Sequence, residues 1–589
     1  MTTAPRKPLF SSDYRFDILL CLGLALAIFI PYRQVAGHRF VDFDDGLYTF
    51  QNTYIIRGLC WDSVCWAFTN TYAANWHPIT WISHLVDREL FGPYAGGYLL
   101  ENVGWHALAS CLCYLAFLKT TGSRLFAFCV ALFFAVHPAN VENVAWTSER
   151  KSLLDAVFWF CAILTYLDFI ETRSFRSYGM TAVAHLLGLM CKAMSVTLPC
   201  TLVLVHILYL VYRGEYRDAP RQLRPWLQKF VRPVVPLLAI SVYFSTVTFS
   251  AQATAMPGMT YSAGQRMANA LLSYERYLAM FFHPTQLAIF YPLFENSVTF
   301  RSAVPATLLL SAISIALLLL ARTKPTLLIG WCWYLGTMVP AIGLVQVGSQ
   351  SHADRYLYIP MLGLAFVFPV LFELLRSIRT GLWRAIVGTT LALFAASLIA
   401  ATNIQVSYWK DGVTLFSHSL SVTGDCVTSA IDLAVAYHRA ERYEEVVAYV
   451  DSKIPVATNP ANKGRLSAIK ASALLNSKKY EPAIASALKA LDWGDTEVFP
   501  YWILSRANFE LGRTHEAARW FSKARTAQQP VNECNYVDVR SHTNMAALEM
   551  LLKEKSVAEP GRSSPPSAGV APAVVTSKGQ DSVKSDLEE

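Results

Sequence analysis

Residues 304–322 read VPATLLLSAISIALLLLAR, nineteen positions with no acid and one charge, Arg322, at the far end. Crossing about 30 Å of hydrocarbon takes roughly 17–25 apolar residues in a helix, and this run meets that length. Ten further stretches read the same way: 16–32, 99–119, 123–138, 152–170, 178–194, 195–212, 231–249, 325–345, 356–377 and 382–403. A twelfth, 267–283, carries Glu275 and Arg276 at its centre, and two charges at mid-bilayer are expensive. The composition agrees. Of 589 residues, 54% are hydrophobic and 16% charged, whereas an ordinary soluble protein carries about 25% charged residues. The chain is therefore expected to be an all-α polytopic membrane protein with about eleven transmembrane helices. Disordered, collagenous and disulfide-scaffold classes are excluded. The net charge of +8 does not imply nucleic acid, because the basic residues cluster beside the apolar spans.

Their distribution predicts orientation, since cytoplasmic connectors carry the excess of Lys and Arg. Arg6, Lys7 and Arg15 precede the first span. Lys119 with Arg124, Arg173 with Arg176, Arg322 with Lys324, and Arg376, Arg379 and Arg384 occupy short connectors, as do six cations between 213 and 232. All fall on one side if 267–283 lies in the interface or re-enters instead of crossing. The N-terminus is then cytoplasmic, and everything after about residue 404 is outside. The first span reads as an anchor, since no small-residue cleavage site follows it. An integral-membrane location is expected, the inner or plasma membrane if the source is bacterial. The long first outer loop, 33–98, holds six acids, four arginines and Trp61, Trp66, Trp76 and Trp81. That tryptophan density suits a folded loop at the headgroup interface.

Residues 1–403 form the expected membrane domain. From 404 to 555 the sequence is polar and helical, and AERYEEVVAYV, NSKKYEPAIASAL and LGRTHEAARWFSKA align on Glu444, Glu481 and Glu516, spaced 37 and 35. A period near 34 with paired amphipathic helices is the tetratricopeptide pattern. Three repeats make a short solenoid. It offers either a groove for an extended polypeptide or a cap that braces the membrane part. Residues 556–589 are Pro/Ser/Ala-rich without periodicity and are expected to be disordered.

Four polar clusters fall on the outer side. VDFDDGLY (41–48) carries Asp44 and Asp45, adjacent carboxylates suited to general-base work; the plainer reading is an Asx turn before Gly46. HPANVENVAWTSERKSLLDA (137–156) brings Glu142, Glu149, Arg150 and Lys151 to the mouth of a span. There the cations would hold a lipid phosphate or simply snorkel. QVGSQSHADRYLYIP (346–360) places His352, Asp354, Arg355, Tyr356 and Tyr358 at another mouth. NWHPITWISHLVDRELFG (75–92) alternates Asn75, His77 and His84 with Trp. No nucleotide-binding, zinc-protease or serine-hydrolase motif is present. No CxxC or other metal-ligand spacing is legible, so metal-independent chemistry is expected, with no cofactor.

Taken together, the Asp pair in a long first loop, NWHPITWISH, HPANVENVAWTSERKSLLD, ADRYLYIP and the repeats closely resemble bacterial proteins of the transmembrane-and-tetratricopeptide O-mannosyltransferase family. That family belongs to the C-type glycosyltransferase superfamily, with the protein O-mannosyltransferases as cousins. The resemblance covers roughly residues 10–550 and is most specific from Phe43 to Asp155. It implies transfer of a sugar, mannose by family, from a polyprenyl-phosphate carrier to a protein Ser/Thr or other hydroxyl on the non-cytoplasmic face, with inversion. The family's catalytic acid maps onto Asp44 or Asp45, and resemblance favours Asp44. Its basic residues near the lipid phosphate map onto Arg150, Lys151 and Arg355. His352 is grouped with them, and His77, Glu142 and Asp354 form an acceptor or loop site. The expected partners are the bilayer, the lipid-linked sugar and a protein acceptor held by the repeats. The short repeat array departs from longer family members and puts a broad acceptor groove in doubt. Two other classes compete. A non-catalytic scaffold has no reason to gather these charges on one side. A transporter would show ionisable residues at mid-bilayer and inverted repeats, and neither is evident.

Overall fold

The computed structural model describes residues 14–41, 43–218, 222–253, 261–293, 298–344, 348, 350–376, 381–424, 426–527 and 549–550. Asp42 and the stretch 556–589, expected to be disordered, lie outside the described residues. The longer helices are α1 (Tyr14–Tyr32), α2 (Pro78–Phe91), α3 (Ala95–Thr121), α4 (Arg124–Val136), α5 (Arg150–Thr172), α6 (Phe175–Leu189), α7 (Leu198–Tyr212), α8 (Val235–Ala253), α9 (Ala263–Phe282), α10 (Phe300–Leu320), α11 (Pro325–Met338), α12 (Val367–Arg376) and α13 (Gly381–Tyr408). Each of the eleven apolar stretches is represented by a helix, and the protein is predominantly helical. The strands among the described residues are the short antiparallel pair β1 (Tyr291–Pro292) and β2 (Gln350–His352).

Length and composition qualify six helices as membrane spans among the described residues: Tyr14–Gly37, Thr147–Thr172, Ala193–Tyr212, Arg224–Gln252, Phe300–Leu320 and Gly388–Tyr408. A seventh is added if Arg124–Val136 and Pro138–Val144, bent by 57° at His137, count as one. The count falls short of the eleven expected for physical reasons. The 15 residues of α6 and 14 of α11 rise only about 20–23 Å at 1.5 Å per residue. The 27-residue α3 is long enough, but Glu101, Asn102, His106 and Lys119 interrupt its apolar character.

Helix α3 lies at the centre, packed against α1, α4, α5 and α7. At one end Arg124 pairs with Asp17 through Nε–Oδ1 (2.8 Å) and Nη2–Oδ2 (3.0 Å), joining α4 to α1. The helix expected at 267–283 is α9, opened by a reciprocal Ser262–Gln265 capping box. Its buried face carries Asn269, Ser273 and Tyr277. Their side chains hold the backbone of Ser351 and Ala353, so α9 is a rail for the segment that ends in Arg355.

The polar tail forms α14 (Gly412–Thr423) and three antiparallel pairs. These are α15 (Val427–Arg439) with α16 (Tyr443–Lys453), α17 (Pro460–Asn476) with α18 (Tyr480–Asp492), and α19 (Val498–Glu510) with α20 (Thr514–Thr526). One turn recurs in all three. Glu441, Lys478 and Gly512 adopt left-handed φ of 60°, 59° and 75°. Each turn closes with the same two bonds, as in Lys478 N to Leu475 O and Lys479 N to Leu474 O, both 2.9 Å. That is a Schellman cap. The tail also docks on the first loop: Arg39 N donates to Lys410 O at 2.9 Å, Phe43 meets Phe416, and the Arg439 guanidinium lies over Phe50. Whichever side of a membrane that loop occupies, the first repeat shares it.

Candidate active site

The segment 43–48 is not extended. Asp44 is a turn residue whose carbonyl accepts from Leu47 N (2.9 Å) and Tyr48 N (3.3 Å), and a four-residue helix, Asp45–Tyr48, follows. The two carboxylates consequently diverge. Asp45 is 2% exposed, and its Oδ2 accepts from Val41 N (2.9 Å) while Oδ1 accepts from Ser148 N (3.3 Å). It closes its own loop and ties it to the start of α5. Among the described residues no hydrogen bond reaches the carboxylate of Asp44. Burial pushes that carboxyl above its usual range, against the opposing pull of Lys151 and Arg355, while Glu149 adds to the rise.

Those two cations belong to a cluster of three. Lys151 stands in the first turn of α5 with its ammonium 5.1 Å from the centre of the Tyr48 ring and 5.9 Å from that of Trp146. Arg355 is anchored to Glu142 twice, through its backbone N–H (2.7 Å) and through Nη1 (2.5 Å). Its guanidinium lies over Trp146 and Tyr356. The third is Lys192, at the junction after α6, which donates to Ser152 Oγ at 2.6 Å and faces the Tyr356 ring. Glu149 stands among them. Its Oε1 is 3.1 Å from Lys151 Nζ and 3.6 Å from Arg355 Nε, and its Oε2 is 3.0 Å from Lys192 Nζ. Lys192 and Arg355 also line a small solvent-open cleft whose wall includes Ser152, Asp155, Trp159, Met194, Thr197, Ile359 and Pro360.

Several expected site residues have other work. Arg150 does not join the cluster. Fully buried, it donates to Tyr98 O (2.9 Å) and to Asn102, and pairs with Asp87 (2.9 Å) and Glu101 (3.1 Å). Consecutive residues on a helix point about 100° apart, and the side chains of Arg150 and Lys151 accordingly meet different partners in the structure. His352 makes aromatic and hydroxyl contacts away from the three cations. It stacks on Tyr291 at 4.0 Å between ring centres and contacts Ser351 Oγ, and burial holds its imidazole down at about 3. Asp354 is buried beside the Tyr291 hydroxyl (2.8 Å), and burial together with Glu142 drives its carboxyl well above the usual range. Glu142 is the anchor of Arg355 and is only 2% exposed, which makes it a positioning residue. His77 packs between Tyr48 and Trp81, kept neutral by burial and by Lys151 nearby. Lys192 was not anticipated. Its one sequence signal is a lysine near the end of the apolar stretch 178–194, opposite the side where the basic connectors gather.

The fold and site define a class: a polytopic helical membrane protein with a carboxylate set against a cation cluster beside a small cleft. Known proteins point the same way. Protein O-mannosyl-transferase Tmtc1 of Drosophila melanogaster is 31% identical over 123 residues, 21% of this chain and 14% of that protein. A Caenorhabditis elegans protein O-mannosyl-transferase is 24% identical over 444 residues, 70% of this chain and 58% of that protein. The chain thus spans less than two thirds of the length of either relative. Both are animal proteins, so they lend the expected bacterial origin no support. No family model matches the chain.

Proposed function

We propose that the protein is a glycosyltransferase that moves a mannosyl group from a polyprenyl-phosphate carrier to an acceptor hydroxyl, with Asp44 as general base. The observation that carries this reading is the divergence of the two aspartates: Asp45 is committed to backbone N–H groups, while Asp44 keeps its carboxylate free beside Lys151 and Arg355. In the reaction the acceptor O–H gives its proton to Asp44, and the oxygen attacks the anomeric carbon opposite the phosphate. The bond from that carbon to the phosphate oxygen breaks with its electron pair on the phosphate. The leaving group gains a negative charge, and Lys151, Lys192 and Arg355 stand where such charge would be stabilised. Trp159, Met194, Ile359 and Pro360, which line the cleft with Lys192, offer apolar surface to the first units of the lipid. Both relatives are protein O-mannosyl-transferases by name, which supports mannose as the sugar.

The reading places the site and repeats on the non-cytoplasmic face, with α9 along the interface and eleven helical segments in the membrane. The helix pairs of the tail are read as tetratricopeptide repeats that receive a protein acceptor. The test is incubation of the protein in lipid with a mannosylated polyprenyl phosphate and a Ser/Thr peptide pool, read by mass spectrometry. Hexose-bearing peptides with wild type and none with Asp44→Asn are expected. Equal yields from both overturn the assignment.

A further inference from the structure

Glu149 has a place in the site that acid–base chemistry does not use. It is 1% exposed and contacts all three cations, with separate oxygens toward Lys151 and Lys192. It immediately precedes α5, yet its side chain makes no capping bond to that helix. What holds it is the cations and the hydroxyl of Ser152, which donates to Oε2. Glu142 is different: two bonds to Arg355, one of them to the backbone, fix it in place. Glu149 is therefore the acid of the cluster whose partners are all side-chain groups that also suit a phosphate.

We propose that Glu149 is a resident anion occupying the place of the lipid phosphate, displaced when the donor binds and competing with the polyprenyl phosphate left after transfer. This rests on the phosphate site read above. The physical argument is charge exchange. Glu142 already answers Arg355, but without Glu149 the part-buried Lys151 and Lys192 would have no carboxylate between them, and Glu149 relieves their repulsion while the site is empty. After transfer the leaving phosphate carries one more negative charge than the donor did, so cations that stabilise it also retain it. A carboxylate tethered beside them returns to the lysines and lowers the affinity for product. Glu149 acts through the cations and is a positioning residue.

The experiment titrates farnesyl phosphate into the full chain in lipid nanodiscs, comparing wild type, Glu149→Gln and Lys192→Ala. Losing a charged partner at such a site shifts binding by roughly 10-fold or more. Glu149→Gln is expected to bind about tenfold tighter, with kcat and KM for the mannosylated donor both lowered. Lys192→Ala is expected to bind about tenfold weaker. If Lys192→Ala weakens binding and Glu149→Gln does not tighten it, the resident-anion role is overturned and the phosphate site stands. If Lys192→Ala leaves binding unchanged, the phosphate site itself fails and the inference falls with it. Should Glu149→Gln not fold, Glu149→Asp serves. It keeps the charge but is one methylene too short to bridge both lysines, so intermediate tightening is expected and unchanged affinity overturns the role.

Discussion

Asp44 and Asp45 are chemically identical neighbours that the fold places in different surroundings. Asp45 accepts two backbone bonds and closes a loop, whereas Asp44 faces Lys151 and Arg355. Asp44→Asn is expected to lower turnover by roughly 10²–10⁴-fold, the range for a general base, with the melting temperature kept. Asp45→Asn is expected to cost about 1–3 kcal/mol of stability through an unsatisfied buried N–H, read in thermal unfolding, with a milder effect on turnover. Because burial raises Asp44 and a base works ionised, kcat/KM in wild type should climb with pH through a midpoint above the ordinary aspartate value near 3.9. A pH profile flat down to pH 4 contradicts the assignment. Arg150 makes the opposite case. Removing one partner of a buried ion pair costs about 3–5 kcal/mol, so Arg150→Ala is expected to lower the yield and melting temperature of the folded protein. A fold of wild-type stability that has lost only donor affinity would return Arg150 to the phosphate site. Adjacent cations in ERK suggest a pair from the sequence, and only the 100° step along the helix separates them.

Elements explain how such residues are held. Helix α9 buries Asn269, Ser273 and Tyr277 against the strand that leads to Arg355. Its central Glu275 and Arg276, which argue against a crossing, are neither of them fully buried. In the tail, the period near 34 was legible because every repeat carries the same helix pair, and the structure adds the reason for its turns. Two of the three left-handed positions are Glu441 and Lys478, where an L side chain costs about 1–2 kcal/mol, part of which glycine would lose again to chain entropy. Lys478→Gly is expected to stabilise its repeat by about 1 kcal/mol, seen as slower hydrogen exchange of the α17 and α18 amides. Gly512→Ala in the third repeat should do the reverse. Faster exchange in Lys478→Gly would show that the side chain contributes more than the strained backbone costs.

For the whole molecule, the tail and the first loop meet through Arg39, Phe43, Phe50 and their partners, so the site and the first repeat move as neighbours. The exposed native Cys60 in the first loop and a cysteine introduced by Lys489→Cys in α18 are therefore expected to label with an impermeant reagent from the same side of the membrane. That side should be the one opposite the basic connectors. Labelling of the two from opposite sides would break the link between repeats and site, and labelling of both from the cytoplasm would reverse the orientation. The predominantly helical, membrane-type class and the position of the apolar helices are legible in the sequence alone, because hydropathy, helical period and charge bias are properties of neighbouring residues; Asp44 with Asp45, Lys151 and Arg355 enter as candidates through resemblance. The tertiary structure alone decided that the Asp45 carboxylate accepts from backbone N–H groups, that Arg150 and His352 have other partners, and that Lys192 and Glu149 join Lys151 and Arg355 in one cluster. Residues 44, 149, 192 and 355 are brought together by helices packed across long separations, and no local pattern states which face of each helix will meet.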